Sequence, residues 1–215
     1  MFFSFLVILI NVAKLHSIEN RIRHLFMKKH YILYFIFISI TFTSCSKNKL
    51  SDQINLNCNS KSISQEFKNC KEPNGHFEIN LPKHFKREFF VSEHESRLYF
   101  ADTTKELTAT AITDVGIYFN KKNIDVAFFN EKLKTLKQEH PNQKIQAEGI
   151  NFQNKTGFYF YFNAENENFQ KNRIEIFLQN KNKSYYLISI DTYGEQKTEE
   201  RFCEALDIIE KSYFY

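Results

Sequence analysis

The 215-residue sequence contains no tryptophan, five glycines and three prolines. So little glycine and proline excludes a collagen-like or low-complexity chain. Four cysteines are too few for a disulfide-dense scaffold. Hydrophobic residues make up 42% and charged residues 25%, which excludes a wholly disordered polypeptide and leaves a folded protein of ordinary size. An excess of one charge is also missing where it would matter. Five of the 29 basic residues but one of the 25 acidic residues precede residue 45, so the rest of the chain is balanced. A balanced body has no one-sided field to steer a polyanion, and no nucleic-acid partner is expected. The motifs G-x-S-x-G, G-x-G-x-x-G, H-E-x-x-H, the P-loop and the EF-hand loop are all absent. The chain is therefore not expected to be an enzyme, and no cofactor is implied.

What the sequence does have begins at Met27. Met27-Lys28-Lys29-His30 is followed by the apolar run Tyr31 to Phe42 and then by Thr43-Ser44-Cys45. A basic start, a short apolar run and small residues before a cleavage point make a secretory signal. The run is too short to span a bilayer, which takes about 20 apolar residues. Phe42-Thr43-Ser44-Cys45 resembles the lipobox of bacterial lipoprotein precursors, with Phe42 where leucine is commonest. The resemblance implies a diacylglyceryl thioether on Cys45, cleavage before it and acylation of the new amino group. The plain alternative is a thiol that ends an ordinary secretory signal or sits beside a signal anchor. Met1 to Ala13 is a second apolar run with no basic flank ahead of it, so Met27 is expected as the initiator and residues 1–26 as an over-extended reading frame.

Three segments are expected: leader and signal over 1–44, a lipidated N-terminus and flexible tether over 45–74, and one domain over 75–215. Ser46 to Asn74 is rich in Ser, Asn and Lys and has no hydrophobic period, which reads as a tether. No acidic cluster follows Cys45, which points to an outer membrane location facing the periplasm. In such a compartment Cys58, Cys70 and Cys203 are free to oxidise. Cys58 with Cys70 and Cys70 with Cys203 are both open pairings, and Cys203 also reads as a small buried apolar residue beside Phe202.

Within the domain, segments of period two alternate with segments of helical period. Strands are expected at Phe77–Leu81, Arg87–Ser92, Arg97–Ala101 and Thr108–Phe119. A helix then starts with Asn123 as N-cap, its apolar stripe being Val126, Phe129, Leu133 and Leu136, and stops at Pro141. Further strands are expected near Lys144–Phe152, Thr156–Ala164, Asn172–Gln179 and Ser184–Asp191. Phe158, Phe160 and Phe162 oppose Tyr159 and Tyr161, so this strand is expected to be central and covered on both sides. The next one sets Ile174, Ile176 and Leu178 against Arg173, Glu175 and Gln179, which predicts one wet face. A last helix from Glu195 to Lys211 packs Phe202, Leu206 and Ile209 on the sheet. The order predicts an α+β fold, an antiparallel sheet of about six to eight strands with two packed helices.

The strand Phe77-Glu78-Ile79-Asn80-Leu81-Pro82, the long central helix and the ending Ile208-Ile209-Glu210-Lys211-Ser212-Tyr213-Phe214 resemble the PsbP-like and DcrB-like α/β/α sandwich proteins. That resemblance implies an accessory component that binds or supports other proteins, and it places no catalytic residue on this chain. The same element order also suits another α+β fold with a curved sheet around a ligand pocket.

The remaining candidate residues each have two uses. His84, His94 and Glu95 would form a metal site if the early hairpins brought them to one end, although single histidines in turns are the commoner use; His76 and His140 stand apart. Asp191, Glu195, Glu199 and Glu200 surround the start of the last helix, where its dipole favours carboxylates, so capping accounts for them without a hydrolytic pair. Tyr159, Tyr161, Tyr185 and Tyr186 make either an aromatic surface for a protein or sugar, or buried sheet positions, the latter being favoured. The sequence therefore predicts a lipid-anchored envelope protein that binds an envelope partner without catalysis. The alternative is a ligand-binding or hydrolytic domain with a cleft between sheet and helix.

Overall fold

Alternation of apolar and polar residues sets most of the architecture. In the computed structural model, which describes residues 49–58, 66–119, 121–166 and 169–215, the alternating segments form strands that bury one side chain in two. The order is α1 (Leu50–Gln53), β1 (Phe67–Lys71), β2 (Phe77–Pro82), β3 (Phe85–Val91), β4 (Glu95–Asp102), β5 (Ala111–Tyr118), α2 (Val126–Glu139), β6 (Gln146–Phe152), β7 (Lys155–Asn166), β8 (Phe169–Gln179), β9 (Tyr185–Tyr193), α3 (Thr198–Glu210) and β10 (Tyr213–Phe214). All strand pairs are antiparallel. One sheet has seven strands in the order β3-β4-β5-β9-β8-β7-β6, and a second has three in the order β1-β2-β10. This is an α+β fold. None of the helices among the described residues is long and apolar enough to cross a membrane. The signal segment, Met27 and Cys45 lie outside the described residues.

The large sheet has a different cover on each face. On one face Leu98, Val115, Ile176, Ile188 and Tyr186 meet Phe77, Ile79 and Leu81 of the small sheet and Phe202, Leu206 and Ile209 of α3. On the other, Phe160, Phe162 and Phe177 meet Phe128, Leu136, Phe129 and Leu133 of α2. Burying a side chain of this size stabilises the fold by about 1.5–3 kcal/mol, so these two apolar layers dominate the packing.

Several expectations change in detail. The N-cap of α2 is Asp125, whose carboxylate accepts from Phe128 N at 3.0 Å, rather than Asn123. Val126 then falls at the first helical position and is exposed, so the buried stripe takes Phe128 in its place. α3 begins at Thr198 rather than Glu195, and Leu107–Ala109 is a single 3-10 turn ahead of β5. β7 lies next to the edge strand β6 rather than in the centre, although both its faces are covered. The face of β8 expected to be wet is partly closed. Glu175 and Phe177 lie buried under α2, with Lys132 Nζ at 2.8 Å from Glu175 Oε2.

The largest change concerns the stretch expected to be a tether. Within it Leu50–Gln53 form α1, and Leu50 and Ile54 are core residues. Cys58 is joined to Cys203 on α3, with Cα atoms 5.4 Å apart, and Cys70 is a free, buried thiol on β1. Both pairings left open by the sequence involved Cys70, and the actual one does not. Cys203 is therefore a disulfide partner rather than a free buried residue.

With few glycines available, the turns recruit other residues for left-handed backbone. Gln153 (φ 48) and Asn154 (φ 62) form the two-residue loop between β6 and β7, and Asn182 (φ 56) and Lys183 (φ 57) lie in the loop between β8 and β9.

Candidate interaction surface

The helix α2 packs on β6, β7, β8 and β9, and none of its apolar partners comes from β3, β4 or β5. The outer face of those three strands is therefore free of helix among the described residues. Register fixes which side chains lie there. Phe90 stands opposite Arg97, and Arg97 opposite Gly116; Glu88 stands opposite Tyr99, and Tyr99 opposite Asp114. A Cβ on Gly116 would meet Arg97 Cγ at 2.8 Å, so glycine is what lets the arginine stem lie flat across β5. Arg97 then donates to Asp114 through both Nε (3.2 Å) and Nη2, and its guanidinium lies 4.7 Å from the centre of the Tyr99 ring. The hydrogen bonds from Arg97 to Asp114 hold the guanidinium charged well above its ordinary range. Tyr118 and Tyr185 stack at 5.2 Å to close the row.

One end of β3 is apolar: Phe90, 53% exposed, lies on this face beside Arg97, whereas Phe89 and Val91, also exposed, project from the other side of the strand. β3 is an edge strand, and such an edge presents a row of backbone donors and acceptors to any further strand. The opposite edge, β6, is guarded by α1. Gln53 Nε2 donates to Asn151 O at 3.0 Å and Gln53 Oε1 accepts from Asn151 N at 2.9 Å, so a side-chain amide takes the place of a neighbouring strand.

The residues singled out from sequence are dispersed. His84 precedes β3 and lies 3.3 Å from Asp102, whereas His94 and Glu95 are at the other end of the β3–β4 hairpin, roughly 20 Å along the strand. They do not form a metal site, and among the described residues no group of three or more potential ligands is gathered. His76 packs against Phe119 and His140 against Phe162. Asp191 is bound by Arg173 (2.6 and 2.7 Å) and Lys171 (2.9 Å). Glu199 accepts from Asn57 N at 2.6 Å, Glu200 pairs with Lys197 at 3.5 Å, and Glu195 is exposed. These carboxylates form no catalytic pair. Tyr159 and Tyr186 are fully buried on the α3 side, where burial pushes the Tyr186 hydroxyl up to about 12, while Tyr185 packs on the α2 side. The four tyrosines therefore do not make one surface.

A recess between α3 and the sheet is lined by Phe85, Phe100, Thr113, Arg201, Glu204 and Ile208, with room for roughly one water molecule. Arg201 is buried there and spends its protons on backbone carbonyls, those of Tyr193 (2.8 Å), Gln196 (2.9 Å), Gly194 (3.1 Å) and Thr110 (3.3 Å). It fastens the loop leading into α3. Beside it, buried Asp102 accepts from Thr104 Oγ1 at 2.6 Å and Thr104 N at 3.0 Å, and Lys105 bridges Asp102 (3.5 Å) and Glu204 (3.0 Å). Asp102, Lys105 and Glu204 thus form an ionic network beside Arg201, whose buried Nε has no hydrogen-bond partner.

Sequence reasoning missed both the Arg97–Asp114 pair and the exposed rim of β3. The signal for the rim was present, since Phe89-Phe90-Val91 breaks the alternation of the strand with three successive apolar residues.

No family model and no curated protein matches this sequence. Similar solved structures include a Bacteroides thetaiotaomicron protein (13% identity, TM-score 0.46, covering 69% of this chain and 48% of that one). They also include the cyanobacterial PsbP of Synechocystis (10%, TM-score 0.46, 73% of this chain and 96% of that one). A third is the Saccharomyces cerevisiae Ran-binding protein Mog1p (12%, TM-score 0.47, 70% and 96%). This chain thus spans about half the length of the Bacteroides protein. Likeness at this level carries no activity, ligand or partner to the present chain.

Proposed function

We propose that this chain is a lipid-anchored cell-envelope protein, held in the membrane through Cys45, whose α+β domain binds another envelope protein without catalysis. The observation that carries the binding half is the edge strand β3, unpaired on its outer side among the described residues, with Phe90 exposed on the helix-free face of β4 and β5 and Phe89 and Val91 exposed on the strand's other side. A strand added to that edge would gain main-chain hydrogen bonds, and the exposed rings would supply the apolar anchors. Anchoring adds to this. Confinement to one membrane raises the effective concentration of a neighbouring partner, so modest affinity suffices. The Cys58–Cys203 disulfide supports an oxidising compartment such as the periplasm.

The test is photo-crosslinking in cells from a reactive phenylalanine analogue placed at Phe90, compared with the same analogue at Val126, exposed on α2. A discrete protein adduct from position 90 and none from 126 is the expected result. Equal adducts from both positions, or none from 90, would overturn the assignment of the surface. Labelled palmitate incorporated into wild type but not into Cys45→Ala tests the anchor separately.

A further inference from the structure

The outer face of the small sheet has no role in the surface described above, yet it carries three exposed aromatic rings. Phe67 is 39% exposed, Tyr213 55% and Tyr215 58%. Phe67 pairs with Pro82 and Tyr213 with Glu78, positions of the same parity on β2, so both rings project from one side of the sheet. Tyr215 joins them, since its hydroxyl interacts with Glu78.

This face lies where the chain leaves the domain toward Cys45. Only four positions separate Cys45 from Lys49, the first residue of the described domain. Fully extended, they reach roughly 14 Å, about half the thickness of a hydrocarbon core. Ser51 N donates to Glu210 Oε1 at 3.4 Å, and the Lys49 charge acts on the same carboxylate. The next residue, Lys211, accepts from Asn80 Nδ2 at its carbonyl (2.9 Å) and holds its ammonium 5.7 Å from the centre of the Phe67 ring. The exit of the chain, the end of α3 and the aromatic face are thus neighbours.

We propose that the outer face of β1–β2–β10, through Phe67, Tyr213 and Tyr215, rests in the headgroup layer of the membrane that holds Cys45. The proposal rests on the lipid anchor proposed above. Tyrosine suits that layer because its ring is apolar and its tip is polar. The lysines of the face are mostly neutralised, Lys71 by Glu78 (3.2 Å), Lys211 by Asp207 (2.6 Å) and Lys83 by Glu66. The contact therefore draws on the rings rather than on anionic lipid, and it persists in zwitterionic vesicles. Phe90 projects from the face of the large sheet opposite the one that the small sheet covers. A membrane under the outer face of the small sheet therefore leaves Phe90 free for a protein partner.

The absence of tryptophan makes the test direct. Full-length acylated Tyr213→Trp and Phe90→Trp are each reconstituted into phosphatidylcholine vesicles, with and without phosphatidylglycerol and with brominated acyl chains as quencher. Tyr215→Trp serves as a second reporter should Tyr213→Trp fail to fold. The indole of Tyr213→Trp is expected to shift to the blue and lose emission to the bromolipid in both vesicle types, while that of Phe90→Trp does neither. Acylated protein whose Tyr213→Trp and Tyr215→Trp reporters stay water-like overturns this proposal and leaves the anchor standing, as does quenching at Phe90→Trp instead. Mass measurement on the same material reads the anchor itself, and a bare Cys45 overturns both.

Discussion

Gln53 and Asn151 exchange two hydrogen bonds, of 3.0 and 2.9 Å, by which the last residue of α1 closes the backbone edge of β6. Each is worth about 0.5–1.5 kcal/mol net. Gln53→Ala is therefore expected to lower stability by about 1–2 kcal/mol and, by baring a strand edge, to promote self-association. Denaturant unfolding and sedimentation velocity read the two effects. Stability and monomer content equal to wild type would show that the edge does not need this guard.

The Cys58–Cys203 bridge closes a loop of 145 residues in sequence separation. Constraining so long a loop in the unfolded chain stabilises the fold by about 2–4 kcal/mol. Reductant, or the double variant Cys58→Ala with Cys203→Ala, is expected to lower the unfolding free energy by that amount, read as a lower denaturation midpoint. Leu50 and Ile54 remain in the core, so α1 stays docked in the native state. An unchanged midpoint would contradict the pairing.

Asp102 makes the stability depend on acid. Burial on its own raises this carboxyl, but the two bonds from Thr104, with the charges of His84 and Lys105, outweigh burial and hold it below the ordinary 3.8. A carboxyl depressed in the folded state contributes stability in full above its unfolded value and loses that contribution as pH falls through the folded value. Asp102→Asn is expected to cost about 1–3 kcal/mol at pH 7. The gap from wild type should narrow below about pH 4. Midpoints at pH 7 and pH 3 that differ equally between the two proteins would exclude this account.

Cys70 is expected to behave as a silent thiol. Burial pushes it up despite Arg87, whose Nη1 lies 3.1 Å from the sulfur. In Cys45→Ala, where it is the one thiol outside the bridge, labelling by a thiol reagent should follow unfolding in denaturant. Rapid labelling of the native protein would contradict its burial.

Wherever a local pattern decides, the sequence was readable. Phe77, Ile79 and Leu81 alternate and are buried together, and Phe202, Leu206 and Ile209 keep a helical period and pack on the sheet. Leu50 and Ile54 also have helical spacing, but a four-residue helix in a polar stretch is too short to show a period, and its packing partner α3 lies far along the chain. Once that helix is missed, so is the Cys58–Cys203 bridge, which depends on where α1 sits. The candidate surface was hidden for a related reason. Phe160 and Phe177 are covered by α2 and Phe90 is not, a difference set by the reach of one helix across the sheet rather than by any strand's own residues.

The left-handed turns carry a local cost. Gln153 and Lys183 each bear about 1–2 kcal/mol of crowding between Cβ and the following carbonyl, whereas Asn154 and Asn182 are of the residue type that adopts this backbone readily. Lys183→Gly would relieve that crowding in the β8–β9 loop without touching the pairing of the two strands.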